Sequence, residues 1–141
     1  MDRDRLVNQL MSDEDVRLQP YKDSLGYLTI GVGRLIDPAH GGGISQDEAM
    51  YLLANDVRNT YSNLTKSIPW MVKLNDCRQN VLLNMAFNLG VAGLLGFKQF
   101  LSHLQAGEYN QAATAGLQSR WATQVPARAN RLMNQIRSGD F

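Results

Sequence analysis

Residues 12–33 read SDEDVRLQPYKDSLGYLTIGVG, and within this stretch the sequence changes from a helical pattern to a strand pattern. Upstream, four apolar residues recur at helical spacing and predict a short amphipathic helix that ends near Asp13 to Asp15. These residues are Leu6, Val7, Leu10 and Met11. From Tyr21 onward, KDSLG is rich in turn residues, and YLTIGVG alternates with β-branched and aromatic members. The stretch therefore predicts a helix followed by a β-hairpin.

The remainder of the chain has the pattern of a helical protein. After the loop DPAHGGG, Ser45 and Glu48 form a capping box that opens a helix to about residue 66. Pro69 interrupts the pattern, and the segment from Asn75 to Gly90 is apolar nearly all round, which predicts a buried central helix. Three further helices are predicted, over residues 93–105, 108–117 and 126–139.

The composition is that of a single globular domain. The chain has 141 residues, of which 44% are hydrophobic and 19% charged, and its one cysteine, Cys77, excludes an internal disulfide. Since MDRDRLVNQL has no long apolar core, we expect no signal peptide and a protein held in the cytoplasm. The first 70 residues carry ten acids against seven Lys or Arg, and the rest carry three against seven. This asymmetry fits pairing between the halves, attraction of an anionic polymer, or an ordinary solvated basic face.

Two carboxylates of the quoted stretch have surroundings that suit opposite roles. Glu14 lies at the predicted end of the first helix, where the negative helix terminus and the neighbours Asp13 and Asp15 disfavour a charged carboxylate. Asp23 lies in the predicted turn, where backbone N–H groups favour the charged form, and Thr29 follows with a hydroxyl. Glycoside hydrolysis requires one protonated and one ionised carboxyl. Local sequence alone favours solvated acids at a helix end, however, and none of the three residues taken singly decides for catalysis.

The spacing of these residues resembles a known signature. Eight residues separate Glu14 from Asp23, five separate Asp23 from Thr29, and IGVGR follows Thr29 directly. This pattern is similar to the catalytic motif of the phage-type lysozymes, the muramidases of the endolysin class. Three later segments resemble that family in the same order: GISQDEA its interlobe helix, LLNMAFNLG its buried central helix, and SRWATQVPARANR the region of its last helices. The resemblance extends from about Leu6 to Arg137.

The resemblance implies an α+β fold that is mostly helical and lysozyme-like. It implies one lysozyme domain over residues 1–141, with a small antiparallel β-hairpin lobe over about 14–45. A larger helical lobe would be built from 1–13 and 67–141. An interlobe helix over about 46–66 would join the lobes, with a cleft between them.

Roles for individual residues follow from the same resemblance. Glu14 would be the general acid, Asp23 the carboxylate across the cleft, and Thr29 a residue that helps to hold the attacking water. The family resemblance implies inverting hydrolysis, for which the two carboxyls stand roughly 6.5 to 9.5 Å apart. Arg128 matches the position whose guanidinium lies near the catalytic glutamate. The remaining substrate-binding positions are Leu35 and Phe87 for apolar contact, Asn88 for hydrogen bonding and Arg120 facing the polymer. A place in the core is an equal alternative for Phe87.

Other positions of these motifs carry weaker expectations. Asn84 and Trp121 are expected to be core members, and Gly31 and Gly33 to lie in a strand that a sugar chain approaches closely. The sequence also departs from the family in two places. Arg34 stands where the family often has a histidine, which rearranges any ion pair there, and the connection that follows it is short. We therefore expect a small lobe trimmed to a minimal sheet.

The implied activity is that of an endolysin, which hydrolyses the β-1,4 bond between N-acetylmuramic acid and N-acetylglucosamine in bacterial peptidoglycan and lyses the host cell. The resemblance implies a monomer without a cofactor, held in the host cytoplasm until a holin gives it access to the periplasm and cell wall. We expect no metal, no nucleic-acid partner and no stable membrane insertion, and His40 and His103 lack metal-ligand spacing. The alternatives are a non-catalytic peptidoglycan-binding module, a small helical nucleic-acid binder, and a lytic transglycosylase, for which Asp23 and Thr29 would be dispensable.

Overall fold

The computed structural model describes the whole chain, residues Met1–Phe141. The chain folds as two compact units, Met1–Leu52 and Leu53–Phe141. It has seven α-helices, and one three-stranded antiparallel sheet lies in the first unit. This confirms the predicted α+β class, mostly helical with a small sheet near the N-terminus. The division into lobes, which assigns residues 1–13 to the helical lobe, stays a prediction.

The first helix, α1 (Arg3–Glu14), begins and ends where the sequence predicts. The side chain of Asp2 caps it by accepting a hydrogen bond from the N–H of Arg5 at 3.1 Å, which satisfies one of the free N–H groups of the first turn. The helix ends at Asp15, whose φ of 64° and ψ of 166° are rarely adopted by residues other than glycine. The chain therefore turns sharply directly after Glu14.

A three-stranded antiparallel sheet follows α1, with its strands in chain order and the second strand in the centre. Its strands are β1 (Arg17–Lys22), β2 (Leu28–Gly31) and β3 (Arg34–Leu35). On β2, Thr29 lies opposite Tyr21 on one side and Leu35 on the other. The register of β1 is irregular before Tyr21, where Pro20 has no N–H to donate to the ladder. The predicted hairpin is thus extended by a third short strand.

A short connection leads from the sheet to α2 (Gln46–Ser67). It contains one 3₁₀-helical turn, Pro38–His40, which the side chain of Asp37 caps by accepting from the N–H of Ala39. Ser45 and Glu48 form the predicted capping box. The N–H of Glu48 donates to Oγ of Ser45 at 3.1 Å, and the N–H of Ser45 donates to Oε2 of Glu48 at 2.8 Å.

The second unit contains the rest of α2 and five further helices. These helices are α3 (Asp76–Leu95), α4 (Lys98–Gln105), α5 (Tyr109–Leu117), α6 (Arg120–Gln124) and α7 (Pro126–Ser138). Asn75 caps α3 as predicted, its side chain accepting from the N–H of Arg78 at 3.0 Å. The last helix also has its predicted bounds, with Pro126 in the first turn and Gly139 in the left-handed conformation after the end.

Two predictions about the helices need correction. Gly90 breaks α3 with a φ of 76° and a ψ of 160°, where the sequence predicted an end, but the chain then returns to helix and continues to Leu95. The prediction of one helix over 93–105 is therefore wrong, because α4 begins only at Lys98. The five-residue α6 was not predicted, because so short a helix shows no hydrophobic period.

The central helix α3 supplies the middle of the apolar core of the second unit. Its buried side chains belong to one apolar cluster with buried side chains of α4, α5 and α7. They include Val81, Leu82, Met85, Phe100, Leu104, Ala112, Met133 and Ile136. Trp121 is 3% exposed, which confirms its predicted place in the core. No single helix has the length and apolar character of a membrane span, and only α3 and α4 reach both together, as a pair bent by 99°.

Candidate active site

Asp23 is held in the turn between β1 and β2 by backbone groups. Its Oδ1 accepts hydrogen bonds from the N–H groups of Leu25 and Tyr27, both at 2.9 Å. The N–H of Asp23 in turn donates to the carbonyl of Tyr27 at 2.9 Å. Gly26 closes the turn with a φ of 81°. Both side-chain bonds end on Oδ1, so the second carboxylate oxygen, Oδ2, is left for another donor.

Thr29 is the buried polar residue of the structure, with 4% of its surface exposed. Its hydroxyl donates to the carbonyl of Tyr27 at 3.0 Å. Because a hydroxyl has one proton, Oγ1 can take part in a further hydrogen bond only as an acceptor. Thr29 and Asp23 therefore share Tyr27 as a backbone partner, and each keeps one oxygen that accepts.

Glu14 lies against the turn that joins β2 to β3. A Cβ built on Gly33 in that turn would lie 2.9 Å from Oε2 and 3.0 Å from Cδ of Glu14. The expectation that Gly33 lies in a strand is wrong, because the residue lies in the turn. The carboxyl of Glu14 occupies the space beside it. The φ of 67° at Gly33 also favours glycine. Gly31, at the end of β2, has no atom within 4 Å of a built Cβ.

Arg34, which replaces the histidine expected of the family, pairs with Glu48 at the start of α2. Nη1 donates to Oε2 at 2.7 Å and Nη2 to Oε1 at 2.6 Å. The guanidinium, together with the N–H of Ser45, lowers the pKa of Glu48 to about 2. The hydrogen bonds to Glu48 raise the pKa of Arg34. This bidentate pair links β3 to the N-terminus of α2 across the shortened connection.

In the second unit, Arg128 is bound to Asn84 of α3. Its Nε donates to Oδ1 of Asn84 at 2.8 Å, and its Nη2 donates to the carbonyl of the same residue at 3.2 Å. The expectation that Asn84 is a core residue needs correction, because it is half-buried and lines a groove of about 360 Å³ with Arg128 and Phe87. The rest of the groove is lined by Leu53, Val57, Asn80 and Leu83.

The other two predicted residues of the second unit differ in how they are held. Asn88 accepts a hydrogen bond from Nε1 of Trp121 through its Oδ1, at 2.8 Å. The amide nitrogen of Asn88 is therefore left as a donor. Arg120 is exposed in the first turn of α6. Phe87, one residue before Asn88, is 42% exposed on α3.

A sequence profile matches this chain over residues 11–136, and it is the profile described as phage lysozyme. The chain belongs to the phage lysozyme family. This phage lysozyme is 29% identical to probable T4-type lysozyme 1 of Dictyostelium discoideum, across 95% of this chain and 94% of the relative. It is 32% identical to the endolysin of Salmonella phage P22, across 79% of this chain and 77% of the relative.

A further relative is much longer. The pre-baseplate central spike protein Gp5 of Enterobacteria phage T4 is 32% identical across 96% of this chain, which spans only 28% of that protein. Membership of the phage lysozyme family places the chain among the glycoside hydrolases that act on peptidoglycan. No group of three or more His, Cys, Asp or Glu side chains is arranged to hold a metal ion.

The predicted site residues thus divide between the two units. Glu14, Asp23, Thr29 and Leu35 belong to the first unit, where Leu35 pairs with Thr29 across the sheet. The second unit holds Phe87, Asn88, Arg120 and Arg128. Sequence reasoning missed Asn84 as a partner of Arg128, although its spacing of four residues from Asn80 and Asn88 places the three amides on one helix face.

Proposed function

We propose that this phage lysozyme is an endolysin that hydrolyses the β-1,4 bond between N-acetylmuramic acid and N-acetylglucosamine, with inversion at the anomeric carbon. The observation that carries the proposal is that two oxygens of the hairpin, Oδ2 of Asp23 and Oγ1 of Thr29, remain able to accept hydrogen bonds. Glu14 supports it, because its carboxyl lies against the turn of the same sheet. An inverting hydrolase needs a carboxylic acid that protonates the leaving oxygen and a carboxylate that activates a water. Glu14 and Asp23 would fill these roles, and Thr29 would be a second acceptor for the water.

In the proposed reaction, Glu14 is the general acid. Its carboxyl gives a proton to the glycosidic oxygen while the bond from that oxygen to the anomeric carbon breaks, so that the sugar leaves as an alcohol. The place of Glu14 beside Gly33 limits the directions that the carboxyl can take. Restricting the donor in this way lowers the entropic cost of reaching the transition state.

The attacking water is held by the hairpin. Because the hydroxyl of Thr29 donates its hydrogen bond to the carbonyl of Tyr27, its Oγ1 accepts a hydrogen bond from the water. Oδ2 of Asp23 accepts the other, since Oδ1 is already occupied by two N–H groups. A water with both protons engaged presents a lone pair to the anomeric carbon. As the new bond forms, Asp23 takes the proton that the water loses, and the product has a reducing muramic end of inverted configuration.

The substrate-binding roles of the other predicted residues are part of the same proposal. Phe87 offers an exposed ring to the apolar face of a sugar, and Leu35 offers an aliphatic contact beside Thr29. The free amide nitrogen of Asn88 suits an acetamido carbonyl. Arg128 keeps Nη1 for the polymer or for a carboxylate, since Asn84 takes its Nε and Nη2, and Arg120 is exposed to an acidic chain.

We further propose that the enzyme acts as a monomer that stays in the host cytoplasm until a holin gives it access to the periplasm and the cell wall. Its similarity to the endolysin of phage P22 supports this setting. The similarity to the central spike protein of phage T4 favours a second one, in which a lysozyme domain is part of a virion. Late lysis that requires a co-expressed holin supports the first setting, and recovery of the protein in purified virions supports the second.

The roles of the carboxylates are tested by two variants of adjacent residues. We expect Glu14→Gln to lower the rate of peptidoglycan hydrolysis by at least about a hundredfold, because the glutamine amide gives up no proton to the leaving oxygen. Asp13→Asn is the matched control, since it removes a neighbouring charge on the same helix end and leaves the donor. Circular dichroism checks that both variants fold. A folded Glu14→Gln protein that keeps the activity of the control contradicts the assignment.

A further inference from the structure

Tyr27 is the residue that connects Asp23 to Thr29 in the first unit. Its N–H donates to Oδ1 of Asp23 at 2.9 Å. Its carbonyl accepts from the N–H of Asp23 at 2.9 Å and from the hydroxyl of Thr29 at 3.0 Å. A rotation of the backbone at Tyr27 therefore changes the directions of the Asp23 carboxylate and of the Thr29 hydroxyl together.

The side chain of Tyr27 is stacked on the imidazole of His40. The ring centroids are 3.6 Å apart and the planes meet at 20°. Two rings in such contact restrict each other's rotation. Tyr27 is half-buried, and the imidazole that stacks on its ring belongs to the connection between β3 and α2.

His40 can restrict Tyr27 only if its own loop is fixed, and Asp37 fixes it. Oδ2 of Asp37 accepts from the N–H of Leu28 at 3.2 Å, and Oδ1 accepts from the N–H of Ala39 at 3.0 Å. The hydrogen bond from the N–H of Leu28, above all, lowers the pKa of Asp37, so the carboxylate stays charged. The carbonyl of Asp37 also accepts from the N–H of Gly42 at 2.8 Å.

Gly42 shows how closely this loop is packed. A Cβ built at this position would overlap the backbone of Ile36 and Asp37. Because Leu28 follows Tyr27 directly, the loop holds the hairpin at two adjacent residues, through the ring of one and the N–H of the next.

We propose that His40 is a positioning residue for the hydrolysis, acting through Tyr27 on Asp23 and Thr29. The inference rests on the proposed function, because it assigns a purpose to the stack only if these two residues hold the attacking water. In this role the imidazole acts on the ring of Tyr27 and not directly on the substrate or the water. By fixing the ring of Tyr27, it fixes the N–H and carbonyl that direct Oδ2 of Asp23 and Oγ1 of Thr29.

The test compares substitutions of His40 in steady-state hydrolysis of soluble peptidoglycan fragments. We expect His40→Ala to lower kcat by roughly tenfold, since a misplacement of about 1 Å can cost on the order of a hundredfold. KM should change less than about twofold, because the residue makes no contact with the polymer. His40→Phe keeps a flat ring and should restore kcat, whereas His40→Asn keeps a polar group without a ring and should not.

His103→Ala is the control, since it removes the other histidine, which is bound to Glu108 in the second unit. It should leave both kcat and KM unchanged. Equal kcat in His40→Ala and wild type overturns the inference, and so does a loss that His40→Asn repairs as well as His40→Phe. The proposed function fails separately, if Asp23→Asn hydrolyses the fragments as fast as wild type or if wild type releases no reducing ends.

Discussion

Gly33→Ala tests most directly whether the position of the Glu14 carboxyl beside Gly33 is required for catalysis. The new Cβ would lie 2.9 Å from Oε2 of Glu14, whereas ordinary contacts at such a position begin at 3.4 Å. The carboxyl must therefore move by about 0.5 Å, and it can do so because it is the end of a flexible side chain. A shift of this size should lower kcat by roughly tenfold, given that about 1 Å can cost on the order of a hundredfold.

The same substitution also strains the backbone, and Gly31→Ala separates the two effects. The φ angles of Gly31 and Gly33 are 69° and 67°, so an alanine at either should cost about 1 to 2 kcal/mol of stability. A Cβ at Gly31 meets nothing within 4 Å. Both variants should therefore lose similar stability in urea unfolding, and only Gly33→Ala should lose kcat in an assay of released reducing ends. Equal kcat in the two variants would show that the position of the Glu14 carboxyl beside Gly33 does not affect catalysis.

Three further predictions concern stability. Asp15→Gly should stabilise the protein by about 1 kcal/mol in urea unfolding, because a φ of 64° and a ψ of 166° strain an aspartate. The substitution also removes the hydrogen bond that the N–H of Val16 donates to Oδ1 of Asp15. An unchanged free energy of unfolding would mean that the loss of this bond offsets the relief of the strain. The pKa of Glu48 is lowered from 4.5 to about 2, so its pairing with Arg34 stabilises the folded state fully above about pH 4.5. This stabilisation is lost as the pH falls towards 2. Glu48→Gln should therefore remove this part of the pH dependence of the free energy of unfolding, measured by urea unfolding at several pH values. Gly116→Ala should destabilise by about 1 to 3 kcal/mol, because the new methyl group overlaps the sulfur of Met133; an unchanged thermal midpoint would show that the methionine moves freely.

The parts of the fold that the sequence predicts are those set by local chemistry. The capping box of Ser45 and Glu48 opens α2, and Pro126 and Gly139 bound α7, because each signal acts within a few residues of the boundary that it sets. The sequence predicts the break at Gly90, but it does not predict that the chain returns to helix after it. One glycine ends a helical pattern in the sequence, whereas the packing of the following turn decides whether the helix resumes.

The parts that the sequence does not predict depend on contacts between distant residues. Arg34 and Glu48 are 14 residues apart, and Asn84 and Arg128 are 44 apart, so no local pattern announces either pair. The spacing of Glu14, Asp23 and Thr29 pointed to the site through its resemblance to a family. It carried no sign of Tyr27, because that residue contacts Asp23 and Thr29 through its backbone, which is the same in every residue type other than proline.

The central claim, hydrolysis of the glycosidic bond by water, is tested most directly by the sugar ends that the enzyme makes. Purified peptidoglycan is digested in ¹⁸O-labelled water, and the new ends are identified by mass spectrometry. The proposed mechanism predicts reducing muramic ends that each contain one ¹⁸O atom, because the oxygen comes from the water held by Asp23 and Thr29. Unlabelled 1,6-anhydro muramic ends would contradict it, because they form without water.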